Sequence, residues 1–384
     1  MPALMRRGNE WLARNPDWEA ATCESGDFRA SRRVPAKEIT CRRSGEGSTA
    51  HVRCLRLWVR QRTRPDRVPQ QLSHLNFVPD VVDRKKFGTP KFLPLGDMVQ
   101  KMNEMLRTNP LPGRIITIET QETMAGVDPD RTYWTESAEA TKLFVFVIRI
   151  FFQTGFSGRG TWEPQEIGLA DFRPVCERPG GAFSGNVFCP LRRSSHPRYE
   201  SFSSLAGRMS AWCLGQSDIR IANVQSIKYK LKHGETDTRR TWYTEHGYAA
   251  TFYVRILRVA HVRAWEVHLP PVAVTCRTFS PVQLERVNDV EPNGKTSILG
   301  GKKPQVPSRQ WRLPFVFYPS SFVSSAGGLG RGSVDEDEDE DVSRTRDRVA
   351  VWMWMTGANF ISAQTSAVRL DDGSRKKGIS CRKD

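Results

Sequence analysis

Three segments of this chain share one apolar pattern, and this internal repeat constrains the fold more than any other feature. The pattern places apolar residues at i, i+1, i+4, i+7 and i+8, which form one face of a helix. The copies begin at Leu4, Met98 and Leu205. Residues 9–16 (NEWLARNP) also resemble residues 103–110 (NEMLRTNP). The repeat predicts three versions of one structural unit.

Each predicted helix has recognisable ends and is followed by two strands. Asp97 and Ser204 are expected as N-caps of the second and third helices. The first strand contains residues 23–25, 118–120 and 224–226, and residues 227–232 of the third copy alternate strictly between apolar and polar. The closing strand contains residues 52–57 (VRCLRL), 145–150 (VFVIRI) and 254–259 (VRILRV). Its β-branched and aromatic content is typical of a buried strand.

A Phe-x-Pro motif recurs at nearly the same distance after each helix, at Phe77, Phe172 and Phe279. A proline inside a strand fits an edge strand or a strand end. The predicted unit is therefore a Phe-x-Pro strand, a long loop, a helix and two strands. The sequence indicates an α+β fold made of tandem repeats of this small βαββ unit, each an antiparallel sheet covered by one helix.

The unit boundaries divide the chain into four parts. Residues 1–76 form unit 1, which lacks its first strand, residues 77–168 form unit 2 and residues 169–270 form unit 3. Residues 271–384 begin a partial unit and continue as a largely disordered tail with an acidic run at 335–341. We expect the chain to be part of a longer array, or to have misassigned ends. The sequence leaves open whether the units pack together or stand as beads.

Composition places the protein in a broad class. The formal net charge is +16, and seven of the 42 acidic residues lie in the acidic run, so the remainder is more basic still. Such a balance favours contact with polyanions. The N-terminus has no apolar signal segment, and the longest apolar run, residues 143–152, is too short to span a bilayer. The eight cysteines are widely spaced, so we expect reduced thiols and a cytoplasmic or nuclear protein.

No motif identifies a reaction, a cofactor or a metal. Glu245-His246 is the best acid/base pair in the sequence. Adjacent residues on a strand point to opposite faces, so we interpret the pair as structural and predict no catalytic residue. None of the seven histidines has a ligand partner at metal-site spacing, and we predict neither a metal nor a cofactor.

One charged position recurs in all three closing strands, as Arg56, Arg149 and Arg258. Glu136 and Glu245 each precede their arginine by 13 residues. A buried arginine needs a partner, so the sequence favours a salt bridge within units 2 and 3. Unit 1 lacks the matching Glu, which leaves Arg56 without that partner. A shared anion site formed by the three arginines is the alternative.

A basic stripe in the third copy is the strongest polyanion candidate. It consists of Lys228, Lys230, Lys232, Arg239 and Arg240. Lysines on such a stripe would contact phosphates. Alternation sends Tyr229 to the opposite face, and the other copies do not repeat the basic residues, so a solvated face is favoured.

The sequence favours a non-catalytic intracellular repeat protein that acts as a binding or scaffolding module for protein partners. Repeated units without repeated catalytic residues suit a surface that holds partners. The first alternative is an RNA- or DNA-binding protein that uses its basic faces. The second is an enzyme with a pocket between units.

Overall fold

The computed structural model describes the chain in separate stretches. They are residues 1–29, 49–62, 68–84, 89–136, 141–154, 164–178, 198–231, 237–246 and 253–263, together with Val274, 349–351 and 353. The remainder of the predicted tail, Phe279 of the third Phe-x-Pro motif and Lys232 lie outside the described residues. No helix in these stretches is long and apolar enough to cross a membrane.

The described residues form a mixed α+β fold with three helices and antiparallel strands. The helices are α1 (Pro2–Arg14), α2 (Leu95–Thr108) and α3 (Phe202–Leu214). The strands are β1 (Trp18–Arg29), β2 (Thr49–Gln61), β3 (Gln71–Phe77), β4 (Val81–Asp83), β5 (Lys91–Phe92), β6 (Gly113–Met124), β7 (Tyr133–Glu136), β8 (Thr141–Thr154), β9 (Glu166–Phe172), β10 (Cys176–Arg178), β11 (Arg198–Tyr199), β12 (Ile219–Lys230), β13 (Trp242–His246) and β14 (Tyr253–Arg263).

The second and third helices begin earlier than the predicted caps indicate. The N-cap of α2 is Pro94 and that of α3 is Ser201, so the prediction of Asp97 and Ser204 was wrong. The reason differs between the two helices. The Ser201 hydroxyl accepts a hydrogen bond from the N–H of Ser204. In contrast, α2 has no side-chain cap, and the N–H of its first residue, Leu95, donates to the carbonyl of Arg239.

Three long antiparallel pairs form the framework. They are β1 with β2, β6 with β8, and β12 with β14. Each first strand carries a register shift at the same place relative to its helix. The shifts lie between Ala20 and Thr22, Ile115 and Thr117, and Ile221 and Asn223. A bulge of this kind bends the strand and increases its twist.

Shorter strands complete the sheets. β3 pairs with the second half of β8, and β9 pairs with the second half of β14. These strands end at Phe77 and Phe172, so the first two Phe-x-Pro motifs terminate edge strands. The loop predicted after each motif contains a small hairpin, β4–β5 or β10–β11.

β7 and β13 pair outside the predicted unit. β7 pairs with Thr49–Val52 of β2, and β13 pairs with Thr141–Val145 of β8. Each therefore joins the sheet of the preceding copy. The predicted unit contains no such strand, because here the chain leaves its own sheet and adds an edge strand to another.

The helices lie at the junctions between sheets rather than over one sheet each. Met5 and Leu12 of α1 pack with Leu72 of β3 and Phe151 of β8, as well as with the first sheet. α2 packs in the same way with Ile167 of β9 and with Val262 of β14. The third helix contacts Val274, which is 6% exposed. The sheets thus share cores and do not stand as beads.

Candidate functional site

A fully buried charged group lies where the first two long strand pairs meet. Arg149 of β8 is fully buried and donates from Nη1 to Glu119 at 3.3 Å and from Nε to Asn76 at 2.7 Å. Its Nη2 donates to the carbonyl oxygen of Pro129 at 2.7 Å. Ser25 of β1 accepts from Arg149 and donates to Glu119, so the network joins two sheets.

Burial changes the proton affinity of both members of this pair. Burial lowers the pKa of Arg149, although Glu119 acts in the opposite direction. Burial raises the pKa of Glu119, while Arg149 and Ser25 oppose that rise. Several hydrogen bonds hold the pair in a site that is buried from solvent. Buried side chains can remain charged when they are paired and hydrogen-bonded in this way.

Arg258 of β14 occupies the equivalent position between the second and third long pairs. Its guanidinium donates to both oxygens of Asp171, at 2.6 and 2.7 Å, and to the hydroxyl of Tyr229 at 2.8 Å. It also donates to Thr120 Oγ1 of the neighbouring sheet at 3.1 Å. Burial lowers its pKa, but Asp171 and Tyr229 together outweigh burial, and the net shift is upward.

The third recurrent arginine behaves differently. Arg56 is 29% exposed at its side chain and pairs with Glu24 at 3.0 Å. The fully buried cation of the first sheet is Arg53, which forms a bidentate contact with Asp27 at 2.8 and 3.1 Å. Sequence reasoning missed Arg53, because its position is charged in the third copy, as Arg255, but not in the second, which has Phe146.

The prediction that Glu245 forms a salt bridge with Arg258 was wrong. Glu245 lies on β13, which pairs with β8, and it accepts a hydrogen bond from Tyr253. The side chain of Glu136 lies outside the described residues. The observed partners stand directly across the ladder, Asn76 from Arg149 and Asp171 from Arg258. Each immediately precedes the phenylalanine of a Phe-x-Pro motif, a signal that the sequence did contain.

The loop before β7 and the loop before β13 cap the neighbouring copy. The N–H of Leu95, the first residue of α2, donates to the carbonyl of Arg239 at 2.7 Å, and the N-terminus of Met1 donates to the carbonyl of Asp130. In the same way, Arg53 N–H donates to Thr132 and Phe146 N–H donates to Thr241. Two equivalent loops therefore make the same pair of contacts.

Side-chain amides make a second recurrent set of contacts between helix and edge strand. Asn9 bonds both the N–H and the carbonyl of Leu72, at 2.8 and 2.9 Å. Asn103 does the same to Ile167, at 2.8 Å for both bonds. Such a paired amide supplies the partner that an edge strand otherwise lacks. The third copy has Ser210 at this position.

The basic stripe does not form one cluster with its aromatic neighbour. Lys228 is exposed and Tyr229 is buried, which is the alternation the sequence predicts. The Lys230 ammonium donates to the carbonyl of Thr244 on β13 at 2.6 Å. The side chain of Arg239 is 89% exposed, and the guanidinium carbon of Arg240 lies 4.2 Å from the centre of the Trp242 ring.

One small cavity lies beside α2 among the described residues. A cavity of about 140 Å³ lies between α2 and β9, lined by Asn103, Arg107, Pro164, Gln165 and Glu166. Ligand pockets typically measure about 300–1,000 Å³. No group of three or more His, Cys, Asp and Glu with metal-site geometry occurs in the described stretches. The His246 side chain of the proposed acid/base pair lies outside them.

Comparison with protein-family models, curated proteins and solved structures finds no match for this chain.

Proposed function

We propose that this chain is a non-catalytic tandem-repeat protein that acts as a binding or scaffolding module. The observation that carries the proposal is the recurrence of contacts between successive copies. Leu95 N–H to the Arg239 carbonyl repeats the contact between Met1 and Asp130, and the Asn103 amide repeats the contact of Asn9. The recurrent polar positions thus hold one copy against the next.

A second pair of contacts supports the same interpretation at the centre of the molecule. Ser25 N–H donates to Glu119 at 2.9 Å, and Thr120 N–H donates to Gln225 at 2.6 Å. These donors are aligned residues of the first two copies, and the acceptors are aligned residues of the second and third. Repeat arrays are stabilised by nearest-neighbour interfaces of this kind, and they present extended outer surfaces to partners.

The buried charges favour a structural role over catalysis. In Arg53, Arg149 and Arg258 all three guanidinium nitrogens donate to carboxylate, carbonyl or hydroxyl oxygens. A catalytic cation would face a cleft that admits substrate.

The test identifies partners by cross-linking to the full chain and then rebuilds each complex from purified components. We expect at least one partner to bind with a Kd that is unchanged in Glu245→Gln, because that carboxylate bonds only Tyr253 among the described residues. A turnover activity of the purified chain that is lost in Glu245→Gln, with the far-UV circular dichroism spectrum intact, would overturn the proposal.

A further inference from the structure

A basic and aromatic surface lies along β13, independently of the contacts that join the copies. We name it the β13 patch, and its members are Phe92, Lys230, Arg239, Arg240 and Trp242. Arg240 stacks over the Trp242 ring at 4.2 Å, and the Phe92 ring lies 6.3 Å from that ring at an angle of 48°. Both aromatic rings are partly exposed.

The cations of the patch lie before β13 and beside its middle. Arg239 and Arg240 precede β13, and the Lys230 ammonium is bound at Thr244, two residues beyond Trp242. Asp237 lies 3.6 Å from Arg239, but both side chains are largely in water, so the pair neutralises little of the field. The described strand order places β13 at the edge of its sheet, which leaves the patch accessible from outside.

We infer that the β13 patch binds single-stranded nucleic acid, with a base stacked at Trp242 and Arg240 and with phosphates against Arg239 and Lys230. Flat rings beside a stacked guanidinium suit an unpaired base, and sequence-tolerant sites combine such rings with basic side chains. An acidic peptide offers the charge but no flat base, so it would leave the rings without a role. The chain's net charge of +16 increases the rate of encounter with a polyanion.

The repeat argues for a short site rather than a continuous track. The second copy has Asp130 where the third has Arg239, and the Asp130 carboxylate accepts from His74 at 2.8 Å and Asn76 at 2.6 Å. The second copy keeps Arg131 and Tyr133 where the third has Arg240 and Trp242, but it has Met124 in place of Lys230. The equivalent positions of the second copy therefore carry no net positive charge. We expect the patch to hold few nucleotides, with two or three phosphate contacts and no cooperativity along the strand.

The test measures fluorescence anisotropy of labelled 12-nucleotide oligouridine and oligothymidine with the full chain, from about 50 to about 200 mM salt. We expect Arg239→Ala/Arg240→Ala to raise Kd at least about tenfold. The matched control is Arg6→Ala/Arg14→Ala, which removes the same charge from exposed positions of α1 and should change Kd less than about twofold. Trp242→Leu should raise Kd about tenfold without altering the salt dependence, because it removes stacking and not phosphate contacts.

Several outcomes would overturn the inference. Equal losses in both double variants would show that net charge alone attracts the oligonucleotide. An unchanged Kd in Trp242→Leu, with polyglutamate competing as well as oligouridine, would indicate an acidic peptide. Absence of oligonucleotide binding at the lowest salt concentration would contradict the inference that the β13 patch binds nucleic acid. Preference for oligouridine over oligothymidine would support the inference and identify RNA as the ligand, and equal affinity would support a site for either strand type. Circular dichroism establishes that each variant is folded.

Discussion

At the scale of single residues, buried arginines with different partners occupy one recurrent position. Arg149 is compensated by Glu119 and by neutral oxygens, whereas Arg258 holds Asp171 with two parallel bonds. A planar guanidinium satisfies several acceptors at once, so the position tolerates changes of partner as long as the acceptors remain.

We expect Arg149→Met to destabilise the protein by about 3–5 kcal/mol, because it leaves Glu119 buried without its cation. Urea unfolding measures the change. Arg60→Met is the matched control, since the side chain of Arg60 is 64% exposed, and it should cost less than about 1 kcal/mol. Arg149→Met/Glu119→Leu should recover part of the loss. Equal stability of Arg149→Met and the wild type would contradict the account.

A second residue-scale prediction concerns pH. Burial lowers the pKa of His74 below its ordinary value of 6.5, although Asp130 opposes this shift. The unfolded chain therefore binds a proton at a pH where folded His74 remains neutral. The contribution of His74 to the free energy of unfolding should therefore fall as the pH decreases through about 6.5, and this fall should end once folded His74 is protonated.

His74→Gln keeps a donor for Asp130 but cannot titrate. We expect the free energy of unfolding of His74→Gln, measured relative to that of the wild type by urea denaturation, to increase between about pH 7.5 and pH 5.5. The relative value isolates His74, because burial lowers the pKa of His261 and raises the pKa of Glu122 to about 7 in both proteins. A relative stability that stays constant or decreases over this range would contradict the assignment.

At the scale of elements, a single amide fastens each of the first two helices to an edge strand. Asn103 bonds both polar groups of Ile167 on β9, and Gln165 on the same segment bonds Ile115 N–H at 3.1 Å and the Gly113 carbonyl at 2.7 Å. Gln70 makes the corresponding bonds to Ala20. Edge strands are thus held by side chains as well as by a ladder.

We expect Asn103→Ala to cost about 1–3 kcal/mol, because two backbone groups of a buried residue lose their partner. Asn9→Ala should cost a similar amount, since its contacts with Leu72 are equivalent. Ser210→Ala, at the same position of α3, should be nearly neutral. Hydrogen exchange at the Ile167 amide should accelerate in Asn103→Ala, and an unchanged exchange rate would refute the contact.

At the scale of the whole molecule, the sheets are joined across copies by loops, strands and buried side chains. Thr241 is fully buried, and its hydroxyl donates to the carbonyl of Leu93 at 2.7 Å. The carbonyl of Arg239, two residues earlier, accepts a hydrogen bond from the N–H of Leu95 at the start of α2. A change in the loop before β13 should therefore be felt in a helix that precedes it by more than a hundred residues.

We expect Thr241→Val to lower stability by about 1–3 kcal/mol and to accelerate amide exchange at Leu95. Fluorescence and far-UV circular dichroism should report one coincident unfolding transition, because the copies share cores. Lys101→Ala is the control, since that side chain contacts Asp80 in water. Two separate transitions would show that the copies unfold independently.

The period of the apolar residues in the sequence predicted which segments are helices and which are strands. It did not predict the strand pairings and side-chain contacts that join one copy to another. The helix at Met98 and the strand around Val254 follow from their apolar patterns. The pairing of β13 with β8 does not, because a short strand such as Trp242–His246 fits several edges equally well. The partners of Arg149 and Arg258 depend on strand register, and one-dimensional spacing from Glu245 could not reveal it.

The capping of α2 by a distant carbonyl has a consequence for biosynthesis. Leu95 leaves the ribosome long before Arg239, whose carbonyl accepts its N–H. At about 5–20 residues per second, the delay is on the order of ten seconds. During that interval the N–H of Leu95 can donate only to water or to another molecule such as a chaperone. The order of translation therefore makes α2 depend on a partner not yet made, whereas α3 carries its own cap in Ser201.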